Sequence, residues 1–567
     1  QLEWDSRFFA VPTFRVDYTT WPEGTGYAAL GAAFAALRHA LAQAFLVVGD
    51  FTAHGGFGDG GDFGLAAGGV AHQVELQPDR HRRAHARVLC LRTMTPEFPA
   101  PRLSALTLPL SEVPAAAEFA RNPDVRRLLG SADPATWIMR GKGIVGLGRV
   151  AAYRVRGGTR FTSARVWWDE LRQDATVHDF VQHPGTGLLA FGAFAFAPSS
   201  TVDSGLMVPE LVAGTDAHGA WLTLISTGPS EPTVEDVDAA WRRLVRAAPA
   251  VARPEEPDAA ASSYPTAVPG TLDEQRWMEA VADGVGMIRA GELDKLVLAR
   301  DVVVDTGRPI ELGAVLGRLS ERFATCWTYC VRLGPEQEGS EQEGPDDGEG
   351  AGRLLGATPE MLIRVHRGTA TARVLAGTLD RQDLPDGANP EDFAGTELGG
   401  SEKQQREHRF AVDSLITGLS PYADEVSGGE HPFILALPNV WHLASDVTAQ
   451  LRAGVDGTLP SALELAEAVH PTAAVCGTPT ETAGAVIEDL ERMDRGLYAG
   501  PVGWLDGAGN GEWGIALRGA VQLDAHRARV SAGCGIVAES DPRAELAETW
   551  AKLRPMLESL PARWDRE

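Results

Sequence analysis

The chain has 567 residues and a formal net charge of −26 at pH 7. This charge argues against nucleic acid or an anionic membrane as a partner, because both attract clusters of Lys and Arg. The composition, 44% apolar and 23% charged, is typical of a globular protein with a large core. The five cysteines lack metal-binding or CxxC spacing, and neither a signal peptide nor an apolar run of ~20 residues is recognisable. We therefore expect a cytoplasmic protein without a membrane span.

The first half of the chain, residues 1–250, predicts an α/β scaffold region. Tyr27–Ala44 has helical periodicity, and Leu188–Phe196 alternates as a strand does. The Pro- and Ala-rich segment 251–269 predicts a linker or a surface connection. An acidic, Gly-rich segment at 334–352 has nothing to bury and predicts a disordered insertion.

The second half, residues 270–556, has clearer patterns. Thr271 and Glu274 predict a capping box at the start of a helix, and Leu296–Val304 predicts a strand. Because side chains alternate along a strand, Lys295 would lie on the same face as the apolar residues Val297 and Ala299. A lysine there either extends to water or is desolvated, which lowers its pKa toward that of a usable base. From the residues alone, a lysine without a chemical role is the more common of the two.

Three further segments carry candidate polar groups. Glu360 directly follows a Pro, and a carboxyl held at such a turn is a general acid if its pKa is raised, but otherwise a solvated surface group. Gly533 and Gly535 precede a predicted helix, where backbone N–H groups can approach an anion. Arg518 ends a predicted strand and is suited to a carboxylate.

Carboxylates occur on two predicted helices. Glu407 lies beside the apolar stripe of one helix. In the other, Asp541 is a good N-cap, and Glu545, Glu548 and Lys552 recur at three- and four-residue spacing, which places them on one face. These groups are either an ordinary surface ion pair or ligands of a hard cation with a lysine nearby for an anion. Ligation by oxygen alone suits Mg²⁺.

Taken in this order, the segments resemble the chorismate-utilising enzyme family over about residues 270–556. The resemblance implies an α/β fold with two stacked, largely antiparallel sheets flanked by helices, and an active site in the cleft between them. The matching segments are Lys295–Arg300, GATPE (356–360), LAGT (375–378), SEKQQREH (401–408), WHL (441–443), HPTAAVCGTP (470–479), DRGLYAGPVGW (494–504), GEWGIALR (511–518), AGCGIV (532–537) and ExxETxxK (545–552).

Single residues distinguish members of this family. Ammonia-adding members carry Gln where this chain has Lys295, and the aminodeoxychorismate type uses a nucleophilic Lys where this chain has Ala376. An Ala at the position of Ala474 is typical of members that stop at isochorismate, whereas a Thr there is typical of members that go on to eliminate pyruvate. The resemblance therefore implies a magnesium-dependent isochorismate synthase acting on chorismate without a glutaminase subunit, with salicylate synthase as the alternative. The pathway (menaquinone or siderophore) and the oligomeric state, a monomer included, stay open.

The resemblance also implies roles for individual residues. Lys295 would deprotonate a water that attacks ring carbon 2, while protonated Glu360 donates to the departing hydroxyl at carbon 4 and His442 orients substrate or water. Glu407 and Glu548 would hold Mg²⁺, with Glu545 acting through water. The remaining implied residues contact the substrate; they are Gly377, Thr378, Ala474, Tyr498, Arg518, Gly533, Gly535 and Lys552. Gln404 departs from relatives that carry an additional Glu there.

Overall fold

The computed structural model describes residues 101–228, 230–245, 267–334, 352–429, 431–454 and 457–560, and, within residues 1–100, the backbone of six strands. The chain forms two compact units, Gln1–Ala100 and Pro101–Glu567. The predicted helix at Tyr27–Ala44 and most of the predicted linker and insertion (251–266 and 335–351) lie outside the described residues.

The first unit contains one antiparallel sheet with the strand order β1-β2-β6-β5-β4-β3. Its strands are β1 (Leu2–Trp4), β2 (Thr13–Asp17), β3 (Thr52–His54), β4 (Asp62–Ala67), β5 (Val70–Pro78) and β6 (Arg83–Cys90).

The second unit contains the remaining strands. They are β7 (Leu103–Pro109), β8 (Ala135–Met139), β9 (Lys142–Leu147), β10 (Ala151–Val155), β11 (Thr176–Asp179), β12 (Leu189–Ala193), β13 (Ser204–Val208), β14 (Leu211–Thr215), β15 (Ala220–Thr227), β16 (Ala267–Pro269), β17 (Lys295–Asp305), β18 (Trp327–Arg332), β19 (Arg353–Thr358), β20 (Met361–His366), β21 (Thr369–Asp380), β22 (Ala423–Gly428), β23 (Phe433–Ala436), β24 (Val440–Leu451), β25 (Gly477–Thr478), β26 (Pro501–Asp506), β27 (Gly511–Ile515), β28 (Gly519–Gln522) and β29 (Arg527–Ile536).

These strands form two large sheets. The ten-stranded sheet has the order β10-β13-β12-β26-β27-β20-β21-β24-β22, with β23 also paired to β24. The thirteen-stranded sheet has the order β11-β7-β15-β14-β9-β8-β18-β19-β28-β29-β17-β16, with β25 also paired to β17. Among the described pairings only β11 with β7 is parallel, so the predicted largely antiparallel α/β architecture is confirmed.

Ten described α-helices accompany the sheets. They are α1 (Ala117–Ala120), α2 (Arg160–Gln173), α3 (Val234–Leu244), α4 (Glu274–Arg289), α5 (Leu312–Arg322), α6 (Pro390–Ala394), α7 (Glu402–Leu419), α8 (Ala462–Val469), α9 (Thr480–Glu491) and α10 (Pro542–Leu557). Among the residues with described structure, no helix is long and apolar enough to span a bilayer.

The two large sheets pack face to face and mix the two halves of the chain. Phe191 of β12 lies against Gly146 of β9, and Trp137 of β8 lies against Gly514 of β27. β12 pairs with β26, and β8 pairs with β18. Both large sheets therefore contain strands from residues 103–227 as well as strands from the second half of the chain.

Several local predictions can be compared with the structure. β12 and β17 confirm the two predicted strands, and Asp541 caps α10 by accepting from the N–H groups of Arg543 and Ala544. The predicted capping box of α4 is wrong: Asp273 is the N-cap and accepts from Arg276 N–H. The last three residues of the predicted linker form β16.

The predicted capping residues have other partners. The N–H of Thr271 donates to Asp301 Oδ1 at 2.7 Å. The carboxylate of Glu274 accepts from Trp550 Nε1 at 2.6 Å. Because tertiary contacts occupy both groups, neither takes part in capping the helix.

Candidate active site

One cavity is bordered by strands of both large sheets and by helices α7 and α10. All of the predicted site residues except Lys295, Glu545 and Glu548 line it. Those in the lining are Glu360, Gly377, Thr378, Glu407, His442, Ala474, Tyr498, Arg518, Gly533, Gly535 and Lys552. The structure thus brings together groups that are up to about two hundred residues apart in the chain.

Lys295 lies behind this lining, at the first position of β17. Its side chain is 0% exposed, and its Nζ is 3.3 Å from Glu407 Oε1. The register of β17 with β29 places Gly535 opposite Val297. A Cβ on Gly535 would lie 2.0 Å from Glu407 Oε1, so the absence of a side chain lets the carboxylate of α7 reach the sheet.

Glu360 lies in the short connection between β19 and β20, and it is only 5% exposed. Its N–H donates to Thr358 Oγ1 at 3.2 Å, which fixes the turn. Burial raises the pKa of the Glu360 carboxyl to about 8, although the nearby charges of Lys295, Lys552 and Arg518 act in the opposite direction. The carboxyl is therefore protonated at neutral pH, the state that a general acid requires.

His442 is a neutral histidine with a definite tautomer. Its Nε2 is 2.7 Å from Nη2 of Arg518, which can only donate, so Nε2 accepts. Its Nδ1 therefore carries the proton and donates to the carbonyl of Gly377 at 3.1 Å. Burial, followed by the charges of Arg518 and Lys552, holds the pKa of His442 well below its usual value. His442 thus orients Arg518, and both of its ring nitrogens have partners within the protein.

The loop-like bend at Gly377 is a β-bulge in β21. The register with β24 shifts between Leu375 and Thr378, where Thr378 pairs with His442. Gly377 has a φ of 86°, and a Cβ there would lie 2.7 Å from Gln404 Oε1. A glycine is therefore required both by the backbone conformation and by the approach of α7.

Each candidate metal-ligating carboxylate has a lysine partner. Besides the Lys295 contact to Glu407, Lys403 Nζ donates to Glu545 Oε1 at 3.1 Å, and Lys552 Nζ is 2.7 Å from Glu548 Oε1. Burial would raise the pKa of Glu407, but the surrounding lysine side chains, first Lys295, lower it overall. Burial and the neighbouring charge of Glu548 raise the pKa of Glu545.

Within the part of the chain that the structure describes, no group of three or more His, Cys, Asp or Glu side chains could hold a metal ion by itself. Mg²⁺ commonly takes only one or two carboxylates together with waters and substrate oxygens. A Mg²⁺ site at Glu407 and Glu548, with Glu545 acting through water, stays a prediction.

The other predicted residues occupy the cavity wall. Arg518 follows β27 by three residues rather than ending it, with a φ of 50°. Burial raises the pKa of the Tyr498 phenol, so its hydroxyl is a neutral donor. Lys552 Nζ also donates to the carbonyl of Gly533 at 3.0 Å, which ties α10 to β29.

Sequence reasoning missed one charged residue in the lining, Arg495. It is paired with Glu491, four residues earlier, and both side chains are buried. The i, i+4 spacing of the two opposite charges was the available signal, but the same spacing is common on exposed helices.

A buried acid, a buried amine and several cationic side chains thus lie in or behind the lining of one cavity of this α/β fold. The family described as "Chorismate binding enzyme" matches residues 137–561. The chain therefore belongs to the chorismate-binding enzyme family.

Individual relatives agree with this assignment. Isochorismate synthase MenF of Bacillus subtilis is 31% identical over 435 residues, which are 74% of this chain and 85% of that protein. Isochorismate synthase DhbC of the same organism is 33% identical over 288 residues, 51% of this chain and 68% of that protein. The solved structure of MenF, the menaquinone-specific isochorismate synthase from Escherichia coli, has a TM-score of 0.58 at 25% identity and covers 82% of this chain and 97% of that one.

Proposed function

We propose that this protein is an isochorismate synthase, which adds water at ring carbon 2 of chorismate and expels the hydroxyl at carbon 4 as water. The observation that supports it most is the burial of two groups of opposite acid–base character at one site: Glu360, whose pKa is raised, lines the cavity, and the amine of Lys295 lies behind that lining. General acid–base catalysis of this exchange needs one group of each kind. The names of the relatives described above point to the same reaction.

The chain's own residues account for each proton. Lys295 accepts a proton from the attacking water as the new C–O bond forms at carbon 2. The ring double bonds shift, and Glu360 donates its proton to the hydroxyl leaving carbon 4. The two protonation states are restored by proton exchange with water, so the reaction is an isomerisation with no net change in atoms or electrons.

Binding of the dianionic substrate falls to the cationic groups of the cavity. Arg518 is held by His442 and would present its remaining donors to a substrate carboxylate, and Tyr498 offers a neutral hydroxyl. Mg²⁺, held by Glu407 and Glu548 with Glu545 beside them, would supply positive charge for the second carboxylate. These groups offset the net negative charge of the protein locally.

Ala474 supports a reaction that ends with isochorismate as its product. It lies in the cavity wall next to Val475, so this part of the wall offers a methyl group and no hydroxyl. This proposal distinguishes the protein from a salicylate synthase.

Product analysis tests the proposal. Incubation of the protein with chorismate and Mg²⁺ is expected to give isochorismate without stoichiometric pyruvate or salicylate, as separated by liquid chromatography. Release of pyruvate and salicylate at the rate of chorismate loss would instead establish a salicylate synthase. Absence of any turnover under these conditions would contradict the proposal.

Chelation of divalent metal is the matched control in the same assay. EDTA is expected to abolish turnover and added Mg²⁺ to restore it. The melting temperature with EDTA alone should stay close to that of the untreated protein, because lysines partner the three carboxylates. Full turnover in excess EDTA would eliminate the cation site.

Replacing Gly535 with Ala is expected to reduce kcat/KM at least about 10-fold, a transition-state loss of about 1.4 kcal/mol. The new methyl group would overlap Glu407 Oε1, so the carboxylate must turn away from Lys295 and from the cavity. Steady-state kinetics with chorismate measure the loss.

A second glycine provides the control for this substitution. Gly286 is in α4, and a Cβ there meets nothing within 4 Å. Gly286→Ala should leave kcat/KM unchanged and raise stability by about 0.5–1 kcal/mol. Equal kinetics for the two variants would mean that Gly535 does not shape the site.

A further inference from the structure

The ion pair between Glu491 and Arg495 is one of the most deeply buried in the described part of the chain. The two side chains are 1% and 2% exposed, and Arg495 Nε donates to Glu491 Oε2 at 2.9 Å. A buried ion pair is by itself weak evidence for stabilisation, because desolvating both charges is costly. Its other contacts therefore decide what it does.

Those contacts are to the backbone on both sides of the pair. Arg495 Nη2 donates to the carbonyl of Val297 at 2.9 Å, and Nη1 donates to the carbonyl of Val475 at 2.8 Å. Glu491 Oε1 accepts from the N–H of Ala299 at 2.7 Å. The guanidinium also lies 4.3 Å from the centre of the Phe196 ring, which packs on its face.

The ion pair makes hydrogen bonds to an edge of β17 where the partner strand has ended. On this side of β17, the partner strand β25 pairs only with Lys295 and Leu296. The N–H of Val297 donates to the carbonyl of Cys476 at 2.8 Å. The next edge groups, the carbonyl of Val297 and the N–H of Ala299, are those that the ion pair engages, so side chains replace a missing strand.

We infer that Glu491 and Arg495 are positioning residues, which fix the strand carrying Lys295 relative to the cavity wall at Ala474 and Val475. Arg495 is bonded to both elements at once, and Val297 and Val475 both line the cavity. The inference rests on the proposed function, because it concerns the placement of the base for that reaction.

The chemistry of the guanidinium explains why an arginine is needed. Its planar fork presents several donors in fixed directions, so it engages two carbonyls and a carboxylate simultaneously, which a lysine ammonium on a flexible stem does not. A displacement of about 1 Å in a reacting group can lower a rate about 10²-fold. Loss of the fork should therefore affect the rate more than the folding of the chain.

Arg495→Lys provides the test. It retains the positive charge opposite Glu491 but loses the hydrogen bond to at least one of the two backbone carbonyls. We expect kcat to fall by about 10–10²-fold with KM little changed, and amide hydrogen exchange at Ala299 to accelerate. The exchange measurement needs no turnover, so it reports on the strand edge directly.

Arg149→Lys is the matched control. Arg149 also donates to backbone carbonyls, those of Arg332, Leu333 and Gly334, but it is not in the cavity lining. This variant should lose some stability and keep its kcat. Glu491→Gln, which keeps an oxygen for Ala299 N–H, is the second variant if Arg495→Lys does not fold, and it should show the same fall in kcat.

The outcomes separate this inference from the proposed function. Wild-type protein that makes no isochorismate contradicts the proposed function. Wild-type protein that makes isochorismate, with kcat of the folded variants at wild-type level, contradicts the positioning role alone. A loss of kcat in Arg149→Lys as large as that in Arg495→Lys would also overturn it, since the effect would then be general.

Discussion

Lys295→Met is expected to lower kcat for isochorismate formation on the order of 10²–10⁴-fold, the range for loss of a general base. Met keeps most of the length of the buried side chain but has no amine to accept a proton from water. The change also leaves Glu407 without the contact that its carboxylate now makes at 3.3 Å. Steady-state kinetics with chorismate and Mg²⁺ measure the loss.

Two controls show whether the loss is chemical. Binding is followed by the rise in melting temperature on addition of chorismate, which reports affinity for the folded state, and we expect that rise to persist in Lys295→Met. Lys142 is exposed on β9, and Lys142→Met should keep wild-type kcat. A Lys295→Met variant with near-normal kcat would exclude Lys295 as the base.

The elements that hold the site were predictable where local signals agree. β17 has two apolar runs separated by Arg300 and Asp301, and α10 begins with Asp541 and Pro542, which satisfy the first N–H groups without any tertiary contact. The start of α4 was not predictable, because Asp301 and Trp550 are far from it in sequence and engage Thr271 and Glu274. Local rules fail where distant groups compete for the same hydrogen bonds.

Sheet order was beyond sequence reasoning. Nothing local pairs β12 with β26, which lie more than three hundred residues apart, or inserts β28 and β29 between β19 and β17. Register depends on which faces are buried in the finished sheets. The resemblance to a family, rather than periodicity, led to the prediction of two stacked antiparallel sheets.

The candidate site shows a similar division. Residue type and spacing placed Glu545, Glu548 and Lys552 on one helix face, which the structure confirms. The raised pKa of Glu360 depends on its burial in the folded protein. The sequence alone could therefore say only that Glu360 is a general acid if its pKa is raised. The role of Arg495 depends on the carbonyls of Val297 and Val475, whose positions only the fold determines.

Glu360→Gln is expected to lower kcat on the order of 10²–10⁴-fold, because the amide keeps the shape of the acid but has no proton to transfer to the leaving hydroxyl. In the wild type, Glu360 is active when protonated, so kcat/KM should fall as pH rises through about 8. Wild-type activity that stays constant to well above pH 8 would contradict the assignment. The residual activity of Glu360→Gln should lack this decline.

The same ionisation gives a test that needs no turnover. Because burial raises the pKa of Glu360 in the folded protein, folding holds its proton more tightly than the unfolded chain does, and stability falls as pH rises from the ordinary glutamate pKa toward about 8. The amide introduced by Glu360→Gln does not ionise, so the free energy of unfolding of this variant, relative to wild type, should increase over this range and become constant above it. Denaturant unfolding at several pH values measures the difference. A difference independent of pH would mean that Glu360 ionises normally and is not the buried acid that the proposed mechanism requires.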